Sequence, residues 1–251
     1  MDKITHVQSY YRQPKMLDFQ VENWLSWPRE VKEQINFIVV DDGSPEPIVP
    51  PKVNLNLAVY RINENILWNC GGARNLGAHL CETEWMWLNY LDYYWTEENV
   101  KKMLLLDRAD PMVFYRFHCV YADSGLSQRP EHHPIGAPYL NKETFWRQGG
   151  LDEDFSGHYG AEDCAMYWQL TRDPGGCKEV ILDDPKILCY TPANGPSDAT
   201  IDEKKENPDE GWTRNNSRNR ALLGDKRQKR VPWSRSYLRF TWQEVYRSYL
   251  S

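Results

Sequence analysis

Short apolar runs alternate with amphipathic stretches along the first half of the chain, which is the pattern of an α/β layer structure. The predicted strands are residues 3–8, 36–40, 57–62, 85–91 and 112–121. The predicted helices are residues 18–27, 71–81 and 96–106, and Thr96 is the expected N-cap of the last one. Strands and helices in this order favour a mostly parallel sheet flanked by helices.

The pattern is less regular in the second half of the chain. It predicts a strand edge and short helix at 139–148, a helix at 160–171, and a strand at 178–183 that Pro185 stops. Residues 191–212 are rich in Pro, Asn, Asp, Glu and Lys and are expected to form a mobile loop or lid. Two further helices are predicted near 213–223 and 234–250.

Composition places the chain among globular proteins without a membrane span. It has 251 residues with 41% apolar content and a mean hydropathy of -0.73. No apolar run approaches the ~18 residues of a membrane span, and no leader is visible, so we expect a cytoplasmic protein. The six cysteines form no C-x-x-C pair and are expected to be reduced thiols.

Charge is distributed unevenly along the chain. The overall net charge of -6 argues against a general nucleic-acid-binding protein. Residues 211–251 carry ten Lys and Arg against two acids, which gives that segment +8 and leaves -14 on residues 1–210. Two interpretations stay open: a solvated pair of basic helices, or a peripheral contact with an anionic membrane or phosphorylated ligand.

Aromatic residues are unusually abundant, with 11 Trp and 15 Tyr. Either the core is aromatic or some of the rings form a ligand surface. Trp85, Trp87 and Trp95 flank the predicted fourth strand and are expected to pack in the core.

Two motifs carry candidate chemistry. The strand 36–40 ends in Asp41-Asp42-Gly43-Ser44, and ligands of open α/β sheets bind at the carboxyl ends of strands. Alone, this sequence is as compatible with a simple turn as with a site. The second motif is Gly71–Ala78, where glycines at a helix start suit a diphosphate and Arg74 adds a cation. A P-loop is excluded because Ala78 and His79 replace Lys and Ser/Thr; the structural alternative is a packed helix start with Arg74 paired to a carboxylate.

Five segments in order resemble the GT-A glycosyltransferases, in particular inverting family 2. They are V-V-D-D-G-S (39–44), G-G-A-R-N-L-G-A (71–78), a strand ending in Asp92, G-G-L-D-E-D-F (149–155) and G-A-E-D (160–163). The similarity covers roughly residues 3–170. It implies a Rossmann-like, mixed and mostly parallel sheet. It also implies a domain over 1–210, with a nucleotide-sugar half (1–120) and an acceptor half (121–210), followed by a basic helical extension (211–251).

The resemblance also implies a donor site. Asp42 would pair with the base, and Tyr10 or Tyr11 would lie against the base or ribose. Arg74 would reach the nucleotide end of the donor. The implied nucleotide-sugar-binding residues are Tyr10, Tyr11, Asp42, Gly72, Arg74, Asn75, Tyr90 and Asp92.

The chain departs from the family pattern at the metal motif. The D-x-D sequence of the family falls at Tyr90-Leu91-Asp92, so Asp92 is the one carboxylate ligand that remains for Mn²⁺ or Mg²⁺. A divalent metal is expected, but weakened. A late histidine ligand of many relatives is missing unless His132, His133 or His158 substitutes, and His132-His133 is expected to be a polar loop.

The acceptor-side segments of the family supply the remaining roles. Asp163 is the implied general base and Glu162 the neighbour that hydrogen-bonds the acceptor, although two acids at a helix start also suit a dipole-stabilising cap. The candidates for stacking on an acceptor sugar are Trp146, Tyr159 and Trp168. The candidates for closing over the diphosphate are Arg214, Arg218 and Arg220.

The predicted function is transfer of a hexosyl or pentosyl group, with inversion, from a nucleotide sugar to a hydroxyl of a glycan or lipid-linked acceptor. UDP-sugars are the favoured donors and polysaccharide biosynthesis is the expected setting. One alternative is an inactive GT-A-like protein that binds glycan or nucleotide. Another is a sugar-1-phosphate nucleotidyltransferase, although the Gly-rich loop such an enzyme needs near residue 10 is absent.

Overall fold

A nine-stranded sheet forms the centre of the molecule in the computed structural model, which describes residues 3–121, 133–189 and 215–251. The strands are β1 Ile4–Tyr10, β2 Ile35–Asp41, β3 Leu57–Ile62, β4 Trp85–Asn89, β5 Tyr93–Tyr94, β6 Val113–Tyr121, β7 Tyr139–Asn141, β8 Lys178–Cys189 and β9 Trp242–Ser248. Their order is β5-β8-β6-β7-β4-β1-β2-β3-β9. β5, β7 and β9 run against the other six, which confirms the predicted mixed, mostly parallel sheet.

Helices cover both faces of this sheet. They are α1 Pro14–Ser26, α2 Arg29–Lys32, α3 Cys70–Leu80, α4 Glu97–Leu104, α5 Lys142–Arg147, α6 Glu162–Thr171 and α7 Ser217–Arg227, with a 3-10 helix at Glu153–Phe155. Thr96 caps α4 as predicted, because its side chain accepts a hydrogen bond from the backbone N–H of Asn99. Among the helices in the described ranges, none has the length and apolar character needed to cross a membrane.

Part of the aromatic excess is in the core. Trp85, Trp87 and Trp95 are all buried, as predicted. The ring of His6 stacks on Trp87 with a centroid distance of 4.1 Å, and burial lowers the pKa of His6 to about 3. On the opposite face, α3 approaches β1 so closely that a side chain at Gly77 would collide with Val7.

The expectation that Pro185 stops the strand after residue 178 is wrong. β8 continues to Cys189, since its register with β6 shifts between Phe117 and His118. Leu182 lies opposite Phe117 and Lys186 opposite His118, so residues 183–185 bulge out of the ladder. A proline is tolerated there because a bulge needs no ladder hydrogen bond from it.

The helix predicted over 234–250 is also wrong. Residues 242–248 form β9, which pairs antiparallel with β3 at the edge of the main sheet. Its bulky residues suit a strand as well as a helix, and the open edge of β3 decides between them. The helical extension is therefore one helix, α7, followed by a strand of the main sheet. The predicted loop 191–212 and the domain boundary at 210 lie outside the described residues.

Candidate active site

The two aspartates after β2 have different environments. Asp41 is fully buried; its carboxylate pairs with Arg61 at 2.6 Å and accepts the backbone N–H groups of Ser44 and Ile48. Asp42 instead accepts a hydrogen bond from Nδ2 of Asn69 at 2.9 Å. Asp41 therefore builds the turn, while Asp42 is directed toward the segment that leads into α3.

That segment, residues 64–69, connects the donor side to the acceptor side. The hydroxyl of Tyr11 donates to Oδ1 of Asn65 at 3.1 Å. Oδ1 of Asn69 accepts from the hydroxyl of Ser156 at 2.8 Å, so one amide touches both Asp42 and the loop before α6. Gly43 has a φ of +67°, and a side chain there would collide with the carbonyl oxygen of Glu64. The two halves of the predicted site thus meet over this turn.

Four of the residues predicted to bind the donor are packed inside the molecule. Tyr10 is buried in the core cluster on the face that α1 covers, while half-buried Tyr11 stays at the surface. A side chain on Gly72 would collide with Asn69 and Phe240. Asn75 holds the loop of residues 151–153. Its Nδ2 donates to the carbonyl oxygen of Leu151 and to the carboxylate of Glu153, and its Oδ1 accepts the backbone N–H of Leu151.

Arg74 is the fourth. It is fully buried, and its guanidinium donates to the carbonyl oxygen of Gly136 at 2.9 Å. The ring of Tyr90 covers it, with Cζ of Arg74 3.9 Å from the ring centroid. The guanidinium therefore supports the ring of Tyr90 from within the protein. The structural alternative predicts a carboxylate partner for Arg74. Its guanidinium instead donates to the backbone carbonyl oxygens of Gly136 and Asn89.

Tyr90 joins the metal-motif position to the predicted base. Its hydroxyl donates to Oδ2 of Asp163 at 3.4 Å, which brings the end of β4 to the start of α6. Burial and the nearby negative charge of Asp163 raise the pKa of Tyr90 well above its ordinary value, so the phenol keeps its proton. Asp92 is exposed on the turn that follows.

Glu162 and Asp163 begin α6 after a turn with an uncommon backbone conformation. Gly160 has a φ of +80° and Ala161 a φ of +69°, which is uncommon for a residue with a side chain. Asn219 of α7 fixes this turn, since its Nδ2 donates to three carbonyl oxygens between residues 155 and 160. Burial, and then the adjacent Asp163, raise the pKa of Glu162 to about 7.

Cys70 lies where these groups converge, and no sequence motif predicts a role for it. Burial raises the pKa of its thiol to about 12; Arg74 opposes that shift, whereas Glu162, Asp42 and Asp163 add to it. A Cβ on the next residue, Gly71, would be 3.9 Å from Cβ of Glu162. The first turn of α3 therefore lies between Asp42 and the acid pair.

The predicted acceptor aromatics do not form one surface in the described residues. Trp146 packs edge-on against Tyr237, and Trp168 stacks on Trp233 with centroids 5.1 Å apart, so both are occupied by the C-terminal segment. Tyr159 lies in the loop before α6, with its ring 4.8 Å from that of Trp68 in the segment 64–69.

One of the predicted diphosphate arginines, Arg218, contacts the loop after residue 152 in the described residues. Its guanidinium donates there to the carbonyl oxygen of Asp154 at 2.7 Å. Arg214 lies outside the described residues.

The acids at 152–154, which we call the anchor turn, have a structural role that the sequence reading missed. Asp152 and Asp154 both bind the buried ammonium of Lys226, at 2.8 and 2.7 Å. Glu153 accepts the backbone N–H groups of Leu238 and Arg239. A usable signal was the charge distribution, because a basic segment after an acidic domain has acids to bind. The basic charge of the C-terminal segment is thus partly used within the chain.

A divalent metal at the motif 90–92 would have few protein ligands. Tyr90 is hydrogen-bonded to Asp163, and Asp92 is the remaining carboxylate of the motif. Mg²⁺ and similar ions are commonly held by one or two carboxylates plus substrate phosphates. The donor set fits an ion carried mainly by a diphosphate, with Asp92 as a single protein ligand.

Comparisons with known proteins bear on the family and the fold of the chain. Residues 19–113 match the model of a family described as glycosyltransferase-like family 2. No significant match is found among curated protein sequences. Among solved structures, the TarS fragment 1–349 of S. aureus superposes with a TM-score of 0.55 at 16% identity, covering 76% of this chain and 61% of that one. Other TarS structures contain UDP or UDP-GlcNAc.

Two further structures extend the comparison. The mannosyltransferase PcManGT of Pyrobaculum calidifontis, in complex with GDP-Man and Mn²⁺, gives a TM-score of 0.52 at 16% identity, covering 74% of this chain and 56% of its own. GalNAc-T7 with UDP, GalNAc and Mn²⁺ gives 0.56 at 12%, covering 76% and 44%. The chain therefore spans less than two thirds of the length of each of these proteins.

Sheet order, motif order and these neighbours define the class: the chain has the GT-A fold of nucleotide-sugar glycosyltransferases. Within that class, its resemblance to glycosyltransferase family 2 is confirmed by the family-model match across β2, β3 and β4.

Proposed function

We propose that this protein is an inverting glycosyltransferase that moves a sugar from a nucleotide diphosphate, UDP favoured, to a hydroxyl of a glycan or lipid-linked acceptor. The observation that carries the proposal is the meeting of the two motif sets at the start of α3. Asn69 binds Asp42 there, and Gly71 packs beside Glu162. Donor and acceptor groups have to be adjacent for a direct displacement.

On the donor side, Tyr11 and Asp42 are the groups assigned to the nucleoside. The Asp42 carboxylate can accept hydrogen bonds from a base N–H, and Asn69 fixes its orientation. Tyr11 is held by Asn65 beside it. The TarS and GalNAc-T7 structures in complex with UDP favour uridine, while the PcManGT complex with GDP-Man makes guanosine the base to test against it.

On the acceptor side, Asp163 is assigned as general base. It would take the proton of the acceptor hydroxyl as that oxygen attacks the anomeric carbon from the face opposite the diphosphate. The hydroxyl of Tyr90 orients its carboxylate. Glu162, with a pKa near 7, carries a proton for part of the time at neutral pH and can hydrogen-bond an acceptor oxygen.

The leaving diphosphate gains negative charge during the displacement, and a divalent ion would neutralise it. Asp92 is the protein ligand assigned to that ion. Arg74 contributes indirectly, by holding Tyr90 from below.

The decisive variant is Asp163→Asn. We expect a loss of transfer of about 10²–10⁴-fold, because the asparagine cannot take the proton, with unchanged affinity for UDP. Turnover is measured by release of free UDP from several UDP-sugars and GDP-sugars, and affinity by calorimetry with and without Mn²⁺. Asp154→Asn is the matched control, since that acid serves the anchor turn, and it should keep turnover within threefold or so of the unchanged protein.

One observation favours an inactive binding protein as the second candidate. Tyr90 stands in the metal motif and holds the predicted base in a hydrogen bond. UDP binding without turnover of any donor would support that candidate. Turnover that Asp163→Asn retains would overturn the base assignment.

A further inference from the structure

We propose that His118, His133 and Asp183 bind one divalent transition-metal ion such as Zn²⁺. The site lies at the β6–β8 bulge, apart from the donor site. The three side chains offer two imidazole nitrogens and a carboxylate oxygen that lie within 4.8 Å of one another. Two imidazoles and a carboxylate are a ligand set that binds Zn²⁺ and leaves a fourth position open. The proposal does not depend on the proposed function.

The register of the sheet explains why these residues meet. His118 resumes the β6–β8 ladder opposite Lys186, directly after the bulge of residues 183–185. Asp183 is the first bulged residue, so its carboxylate leaves the ladder beside His118.

The distances suit an ion with small adjustments. Nε2 of His133 is 3.2 Å from Oδ1 of Asp183, and Nδ1 of His118 is 4.0 Å from the same oxygen. Around a tetrahedral zinc ion with bonds near 2.1 Å, neighbouring ligand atoms are about 3.4 Å apart. Side-chain rotation is enough to cover the difference, because Asp183 is 89% exposed.

The surroundings of the three side chains include one unpartnered nitrogen and several charged neighbours, of which Lys186 lies opposite His118 in the ladder. Nδ1 of His118 is buried and has no hydrogen-bond partner among the residues that the structure describes. Lys102 pairs with the neighbouring Asp184 and not with Asp183. Arg116, the nearest cation on β6, is bound to Glu179 and donates to the carbonyl oxygen of His133, which fixes the backbone of that ligand.

The donor atoms select the kind of ion. Imidazole suits Zn²⁺, Co²⁺ or Ni²⁺, whereas a carboxylate-and-phosphate site suits Mg²⁺ or Mn²⁺. This site and the one assigned to Asp92 therefore take different ions. The expectation that His132-His133 is only a polar loop is replaced for His133 by this proposal; His132 lies outside the described residues.

An ion here would also stiffen one wall of the active site. His133 begins the stretch that contains Gly136, whose carbonyl oxygen receives the guanidinium of Arg74. Gly136 packs so tightly under the hydroxyl of Tyr90 that a side chain would not fit. Fixing His133 therefore restrains the backbone against which Tyr90 and Arg74 rest.

The test is a calorimetric titration of the full, chelator-treated chain with Zn²⁺. We expect one ion per chain, and at least tenfold weaker binding for His118→Ala, His133→Ala and Asp183→Asn. The matched controls are Asp184→Asn, which changes the adjacent acid, and His79→Ala, which removes an exposed histidine elsewhere. Zinc binding that is absent, or that survives all three ligand changes, overturns the proposal.

Two further readouts guard against a variant that fails to fold. The visible spectrum of bound Co²⁺ reports nitrogen and oxygen ligands, and strong thiolate bands would instead assign the ion to a cysteine and overturn the proposal. Zn²⁺ should raise the Tm of the unchanged chain and of Asp184→Asn but not that of Asp183→Asn. UDP binding by the zinc-free chain is measured in parallel, so failure of the proposed function shows separately.

Discussion

Two acidic groups a few residues apart, the anchor turn at 152–154 and the acid pair Glu162–Asp163, are used in opposite ways. Asp152 and Glu153 are buried, and each binds a cation or backbone N–H groups of the C-terminal segment. Asp154 pairs with both Lys226 and Arg239. In the anchor turn, negative charge is matched by contacts that hold the chain together.

The acid pair has no such matching. Among the described residues, neither Glu162 nor Asp163 forms an ion pair with Lys or Arg, and Asp163 is bound by the neutral hydroxyl of Tyr90 and by a backbone N–H. Burial, and then the charge of Asp163, therefore raise the pKa of Glu162 to about 7, and the opposing effects of a backbone hydrogen bond and of Arg74 are smaller. Burial also acts on Asp154, but hydrogen bonds from Lys226 and Arg239 outweigh it and lower its pKa below the ordinary value. Partners, and not acidity in the sequence, separate a structural acid from a candidate catalytic one.

The largest effect is expected when the anchor turn loses its buried cation. Lys226→Met keeps the aliphatic stem but leaves Asp152 buried without a charge partner, which should destabilise the fold by about 3–5 kcal/mol. The free energy of unfolding is measured by urea denaturation at neutral pH.

Lys101→Met is the matched control for that change. Lys101 is exposed and pairs with Glu97 one helical turn away, so its loss should leave the free energy of unfolding nearly unchanged. Equal losses for the two lysines would contradict the role given to the anchor turn.

A smaller effect is expected from Glu162→Gln, and it depends on pH. The pKa of Glu162 is about 7 in the folded chain, against an ordinary value of 4.5. Between pH 4.5 and about pH 7, the folded chain therefore keeps a proton that the unfolded chain has released. Stability from this group is complete below the ordinary pKa and is lost as pH rises through about 7. Between about pH 5 and pH 8, the free energy of unfolding of the unchanged chain should fall by about 2 kcal/mol more than that of Glu162→Gln.

The measurement is a series of urea titrations across that range. Glu143→Gln, at an exposed position on α5, is the control that should follow the unchanged chain. Parallel pH profiles for Glu162→Gln and the unchanged chain would show that the acid pair is compensated after all.

The same contrast explains what could be predicted from the sequence. Asp42, Asp163 and the strand that ends near Tyr90 are placed by local motifs at strand and helix ends, and the sheet then brings them together. The fold followed from the alternation of strands and helices and from motif order. Both depend on patterns that are local in the chain.

The failures share a different cause. The strand at 242–248 depends on an open edge of β3, and the burial of Arg74 depends on Tyr90 and Gly136 from other elements. Trp168 is covered by Trp233 from the C-terminal segment. Each of these contacts joins residues far apart in the chain, and no local pattern specifies them.

The smallest effect is expected for Asp154→Asn, which removes one charge from the anchor turn but leaves Asp152 on Lys226. Because Asp154 is partly exposed, the loss at neutral pH should be about 1 kcal/mol. Its lowered pKa means that the stabilisation is present above the ordinary value of 3.8 and is lost as pH falls through the lowered one, opposite in sign to Glu162. Urea titrations at neutral and strongly acidic pH should show the difference from the unchanged chain shrinking on acidification. Asp225→Asn is the control, because its partner Arg230 is exposed, and its free energy of unfolding relative to the unchanged chain should show no such change. If the difference for Asp154→Asn instead grows on acidification, the assignment of the two acidic groups is reversed.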